Sequence, residues 1–141
     1  MKKEVVMQLK GSYQRISQIM QSKIDEYGLT LGLLFIMHLI EKNPDASQKE
    51  LANKLKFTEG AMSSAVKRLL ELEMVKQIPL ERDMRYNRLL LTDKGRSMMD
   101  IYQGLLLKIE EDMFDGFDSG ELEKLYDYLL KINRNLDNIS S

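Results

Sequence analysis

The sequence predicts a mainly α-helical fold with one small β-hairpin. Three observations carry that expectation. Two prolines and eight glycines are few breakers for 141 residues, which favours long helices over many strands. Apolar side chains recur at steps of three and four through most of the chain, the period of a helix face. Two short stretches, 75–80 and 87–91, read as a strand and its return around the polar connection Glu81-Arg82-Asp83-Met84-Arg85-Tyr86.

Each element has a local reason. Residues 5–26 carry Val5, Val6, Leu9, Tyr13, Ile16, Met20 and Ile24 on one helical stripe, and Gly28 is placed to end it. Thr30 caps a helix over 31–42 that is apolar nearly all round and is expected to be buried. Asn43-Pro44-Asp45 breaks it. Ser47 and Glu50 have the spacing of a capping box, opening a short helix to about Leu55 with Leu51, Ala52 and Leu55 inward. Lys56-Phe57 turns the chain, and Thr58 caps a helix to about Glu73. Pro79 limits the first strand or confines it to an edge. Thr92 caps a long helix over 93–114. After Asp115-Gly116-Phe117, the pair Asp118 and Glu121 opens the last one. Its apolar residues Leu122, Leu125, Leu129, Ile132, Leu136 and Ile139 follow steps of 3, 4, 3, 4, 3, a heptad seam.

Composition removes whole classes of function. No cysteine is present, which excludes disulfides, thiolate metal sites and thiol redox sensing. His38 is the one histidine, so an imidazole-built metal site is excluded within one chain and neither metal nor cofactor is expected. The carboxylates Glu110-Glu111-Asp112 share one solvated helix turn without a converging partner, so the chain does not read as an enzyme. No stretch of 18 uncharged apolar residues exists, and the N-terminus lacks a signal-peptide core, so a cytoplasmic protein without membrane contact is expected.

The net charge of −1 conceals a division. Residues 46–96 hold 11 basic and 7 acidic side chains, a net +4, whereas residues 97–141 hold 4 and 10, a net −6. A polyanion would meet the middle of the chain. There, two short capped helices separated by a tight turn make a helix-turn-helix candidate. The second directs Met62, Ala65, Val66, Leu69 and Leu72 to one side and Gly60, Ser63, Ser64 and Lys67 to the other. Small outward residues let a helix lie close against groove walls, while serine and lysine can reach base edges or phosphates. Arg82, Arg85 and Arg88 then concentrate guanidinium groups on the hairpin, suited to a narrow minor groove, and Asp83 can pair with one of them. Helix, helix, hairpin is the order of a winged helix.

The run Asp83-Met84-Arg85-Tyr86-Asn87-Arg88-Leu89-Leu90-Leu91-Thr92-Asp93-Lys94-Gly95 resembles the wing signature of the MarR family of bacterial transcription regulators: an Asp-x-Arg tip, a return strand, then Leu-Thr-x-x-Gly opening a helix. Leu51-Ala52 and the helix from Thr58 to Glu73, with Met74-Val75, resemble the family's preceding elements. The resemblance implies a homodimer, with residues 1–28 and 97–141 as dimerisation helices and residues 30–96 as a winged helix-turn-helix DNA-binding lobe. It implies groove contacts by Ser63, Ser64 and Lys67, a minor-groove Arg85 and a supporting Asp83. Glu73 and Gln77 depart from the pattern, standing where the family often has glycine and arginine. Glu59 and Glu71 would repel phosphate unless they lie toward the ends of the face or pair locally.

The expected interface with double-stranded DNA comprises Ser47, Lys49, Thr58, Gly60, Ser63, Ser64, Lys67, Arg68, Arg82, Asp83, Arg85 and Arg88. The expected dimer seam comprises Val5, Leu9, Ile16, Leu122, Leu125, Leu129, Ile132 and Leu136, although the two stripes could also satisfy each other within one chain. Many proteins of the family bind small phenolic or lipophilic effectors, and the positions assigned to such a pocket are Tyr13, Tyr27, Met37 and His38. The expected function is a dimeric, sequence-specific transcriptional regulator, in the first place a repressor. The alternative is a protein-interaction module on the same scaffold, which would not need the wing arginines.

Overall fold

The computed structural model describes residues 1–140. The elements run α1 (Lys2–Ile24), α2 (Leu31–Lys42), α3 (Gln48–Leu55), α4 (Glu59–Glu71), β1 (Val75–Leu80), β2 (Asp83–Leu91), α5 (Asp93–Met113) and α6 (Ser119–Ser140). The chain divides into two compact units, Met1–Leu106 and the part from Leu107 onward. Among the described residues no helix is long and apolar enough to cross a membrane.

The mainly helical fold with one hairpin is as expected, and most boundaries follow from their caps. The hydroxyls of Thr30, Ser47 and Thr58 accept the amides of Leu33, Glu50 and Ala61 at 3.0–3.1 Å. Each satisfies one of the donors that a helix start leaves without an intrahelical partner. α1 begins earlier than expected and ends sooner, handing over to a single 3-10 turn, Asp25–Tyr27, that closes on Gly28 at φ 72°. Gln21 then fastens the end of α1 to the start of α2. Its Nε2 donates to the Leu29 carbonyl at 3.0 Å, and its Oε1 accepts the Leu31 amide at 3.3 Å.

The core of the first unit gathers Ile24, Leu29, Leu34, Met37, Ile40, Leu51, Met62, Val66, Leu69 and Leu89. Each such burial contributes about 1.5–3 kcal/mol relative to exposure. α2 supplies Leu34, Ile36, Met37 and Ile40, but it is not buried all round as expected: Phe35 is 56% exposed. The lobe covers one side of this helix.

α4 ends in a left-handed cap at a residue that is not glycine. Glu73 has φ 60°, its amide reaches the Leu70 carbonyl at 3.0 Å, and the Met74 amide reaches the Leu69 carbonyl at 2.9 Å. This is a Schellman arrangement with glutamate at the position that favours glycine. An L-residue there costs about 1–2 kcal/mol. Glu73→Gly is therefore expected to stabilise the chain by about 1 kcal/mol after its backbone entropy is counted. Urea unfolding checks it: the midpoint should rise at unchanged slope, and a lower midpoint would refute the assignment of strain to Glu73.

The hairpin differs from the expected one at its tip. β2 starts at Asp83, leaving Glu81-Arg82 as the turn instead of the six-residue connection. Pairing is regular from Val75↔Leu91 to Pro79↔Asn87 and then jumps to Leu80↔Asp83. Met84, Arg85 and Tyr86 consequently bulge from the ladder. Pro79 has no N–H to donate, so the register breaks beside it. One bridge, Ser47↔Arg88, joins β2 to the chain ahead of α3.

Beyond the hairpin, Thr92 binds three ways. Its amide donates to the Met74 carbonyl at 3.0 Å, its hydroxyl donates to the Glu73 carbonyl at 2.6 Å, and the same oxygen accepts the Gly95 amide at 3.0 Å. In the second unit the Asp118–Glu121 box closes in both directions, at 2.8 and 3.1 Å. Phe114 and Phe117 meet edge to face at 5.8 Å just before it.

Candidate nucleic-acid interface

Three elements converge on one side of the first unit. α3 brings Gln48 and Lys49, α4 brings Glu59 and Ser63, and the bulged strand brings Arg85, Tyr86 and Asn87. Together they line an open cleft of about 260 Å³ with Ala52 and Met62 at its base. α4 can present its polar side here because Met62, Val66 and Leu69 are buried behind it. Gly60, Ser64 and Lys67 share the exposed side of α4 but lie outside the cleft lining.

Arg85 is 81% exposed yet held in place. Its Nη2 and Nε donate to the two Asp83 oxygens at 2.8 and 3.0 Å, and its amide donates to Asp83 at 3.2 Å. The guanidinium carbon also stands 5.8 Å from the centre of the Tyr86 ring. Hydrogen bonds from Arg85 hold the Asp83 carboxyl below its usual value, and the same bonds raise Arg85. A side chain fixed before binding loses less rotamer entropy when it binds.

The other arginines have different assignments from those the sequence suggested. Arg82 pairs with Glu50, tying the hairpin turn to the first turn of α3. That hydrogen bond is the main reason the Glu50 carboxyl lies below its ordinary value, with smaller help from Ser47. Gln77 adds a second tie, donating to Gln48 at 2.9 Å. Arg88 is on the return strand, as expected, opposite Ile78, but its side chain is only 21% exposed and donates to the Pro44 carbonyl at 3.3 Å and Asp45 at 3.5 Å. Arg68 turns away from the cleft, to the Gly28 carbonyl at 3.5 Å and Glu71 at 3.6 Å. Glu71 is thereby paired locally, as expected, whereas Glu59 has no such partner.

Two hydroxyls assigned to the interface are already engaged. Ser47 is 5% exposed and its hydroxyl caps α3. Thr58 is exposed, but its oxygen caps α4. The residues assigned to an effector pocket differ widely in exposure, and none lines the cleft. Met37 is fully buried in the core, Tyr27 packs against the core's edge, His38 is half-buried, and Tyr13 is 73% exposed on α1. Among the described residues no cluster of three or more His, Asp or Glu side chains could hold a metal ion.

Gln48, Glu59, Tyr86 and Asn87 line the cleft without having been singled out as contacts from the sequence. For Tyr86 and Asn87 the available signal was adjacency to Arg85. For Gln48 it was the position just after a cap. Neither signal distinguishes an inward from an outward side chain.

The sequence profile of the MarR family matches residues 27–85, from the 3-10 turn through to the hairpin tip. Over that stretch the chain is similar to the MarR family. The chain is also similar to the HTH-type transcriptional regulator BilQ of Clostridium symbiosum, 28% identical over 114 residues, covering 81% of this chain and 79% of that protein. The HTH-type transcriptional regulator TcaR of Staphylococcus aureus is 24% identical over 119 residues, covering 83% and 78%. The fold matches that of Streptococcus pneumoniae FabT, solved in complex with DNA, with a TM-score of 0.84 and 18% identity over 99% of both chains.

Proposed function

We propose that this protein is a MarR-type, sequence-specific regulator of transcription. It binds double-stranded DNA as a homodimer on a pseudo-palindromic operator and represses by occluding the promoter. The observation that carries the reading is the convergence of α3, α4 and a pre-positioned Arg85 on one concave face. α4, with Gly60, Ser63, Ser64 and Lys67 outward, enters the major groove, and Arg85 enters the adjoining minor groove. The net +4 over residues 46–96 supports attraction of a polyanion there. FabT was solved with DNA, which favours the same use of this fold.

Residues 30–96 would form the DNA-binding lobe, with 1–28 and 97–141 in dimerisation. Val5 and Leu9 on α1 are exposed and Ile16 is half-buried. On α6, Leu125 and Leu136 are exposed while Leu122, Leu129 and Ile132 are half-buried. A second copy supplies cover for these apolar side chains, and two recognition helices about one DNA turn (~34 Å) apart match a two-fold operator. The protein acts as a binding protein rather than an enzyme, in the cytoplasm with the chromosome. A small phenolic or lipophilic effector bound near Tyr13, Tyr27, Met37 and His38 is not part of this proposal.

Fluorescence anisotropy tests the reading, using labelled DNA from upstream of the protein's own gene and a scrambled duplex over a salt series. Tighter binding to the upstream duplex that falls steeply with salt is expected. Equal binding of both duplexes at every salt concentration would count against sequence-specific regulation at that site. Sedimentation at the same protein concentration should give a dimer.

Glu50 gives a test of sign. Its pairing with Arg82 positions the wing, so Glu50→Gln is expected to weaken operator binding about three- to fivefold, the scale of an exposed ion pair. Charge alone predicts the reverse, because an anion beside DNA has been removed. Tighter binding by Glu50→Gln would make Arg82 a phosphate contact and remove the brace. Both Glu50 and Asp83 have lowered carboxyl values, so their pairs are present above the ordinary carboxylate range and are lost as pH falls through the lowered values. Their contribution to wing position should therefore be constant around neutral pH and fade only in acid below about pH 4.

A further inference from the structure

We infer that Glu59 is a specificity-determining residue, selecting cytosine at one position of each half-site by accepting a hydrogen bond from the base's exocyclic amine. The inference rests on the DNA-binding reading above. It starts from an anion in the wrong place. Glu59 is exposed in the first turn of α4 and lines the same cleft as Lys49, Ser63 and Arg85. The acids of α3 and β2 and the other acid of α4 are each matched with an arginine: Glu50 with Arg82, Asp83 with Arg85, and Glu71 with Arg68. The Glu59 carboxylate has no ion pair and no hydrogen bond among the described residues, and it is the one acid lining this cleft.

A free carboxylate facing a phosphate backbone weakens binding to every duplex alike. It is compensated only where DNA offers a donor. In the major groove those donors are the amines of cytosine and adenine. Adenine sets its amine beside the N7 acceptor, whose lone pair opposes a carboxylate. Cytosine carries no acceptor beside its amine on the same base, so it is the better match. The position of Glu59 fits this use, because residues at the N-terminal end of a recognition helix contact base edges. Ser63 lies four residues on, along the same face, where its hydroxyl can serve a neighbouring base as donor or acceptor. A carboxylate at this end of α4 also stabilises the helix dipole, a role that predicts a different experimental outcome.

The test is selection from a pool of randomised duplexes by the full-length wild type, Glu59→Ala and Glu59→Gln, with thermal unfolding of each protein alongside. Wild type should enrich cytosine at one position in each half-site. Glu59→Ala should select the same motif without that preference, discrimination there falling about tenfold, while its binding to random duplex rises. Glu59→Gln should move the preference toward adenine, since glutamine can pair with both N6 and N7. An unchanged motif in both variants would overturn the assignment, and a lowered unfolding midpoint with that unchanged motif would leave only the dipole role. If the wild type itself enriches no motif, the DNA-binding reading fails and this inference fails with it.

Discussion

Replacing Arg85 by alanine is expected to weaken operator binding by about 30-fold or more. It should also shallow the salt dependence by about one counterion per protomer. The size follows from the site. Arg85 is a mostly exposed cation whose direction is already set by two hydrogen bonds to Asp83 and by the Tyr86 ring. On the proposed reading its removal would subtract a charge from the minor groove, where the potential is most negative, and would do so twice in a dimer. Arg85→Lys should recover only part of the loss, because an ammonium cannot make the two-pronged pair with Asp83. Asp83→Asn should show an intermediate loss, since the cation survives but its orientation does not. Anisotropy titrations of the three variants across a salt series check the order. An Arg85→Ala protein that binds as tightly as wild type would remove the wing from the interface.

Gly95→Ala is expected to produce the largest loss of stability, about 3 kcal/mol or more, with a fall in thermal midpoint on the order of 10 °C. A Cβ at residue 95 would stand 2.1 Å from the Met74 carbonyl oxygen and 3.1 Å from its carbon. Backbone cannot step aside as a flexible side chain can. The Met74 carbonyl is also engaged by the Thr92 amide, and the Thr92 hydroxyl holds both the Glu73 carbonyl and the Gly95 amide. Displacing it would disturb the junction of α4, the hairpin and α5 together. Calorimetry of the purified variant measures the effect, and an unchanged midpoint would show that this junction relaxes freely.

Much of this was legible because it is local. The caps at Thr30, Ser47, Thr58, Thr92 and Asp118 are settled within three residues, and the structure places each helix start there. The same locality made the Asp83–Arg85 pair readable, with its partners two residues apart. The remaining arginines depend on neighbours distant in sequence. Arg82 meets Glu50 across 32 residues, Arg68 meets Gly28 across 40, and Arg88 meets Asp45 across 43. Periodicity carries no information about such pairs, so from the sequence all three read as DNA contacts. Ser47 illustrates a related limit: its hydroxyl suits a cap and a phosphate equally, and only its burial separates them. The bulge over Met84–Tyr86 was hidden because a polar connection and a distorted strand have the same composition. It nevertheless decides which wing residues line the cleft.

The most direct measurement of DNA binding by this concave face is a hydroxyl-radical footprint of the wild-type protein on its selected duplex, run beside Arg85→Ala. Two protected half-sites about one helical turn apart are expected, flanked by minor-groove protection that the variant alone loses. A single protected tract, or flanks equally protected in both proteins, would contradict a dimer that reads the major groove with α4 and the minor groove with Arg85.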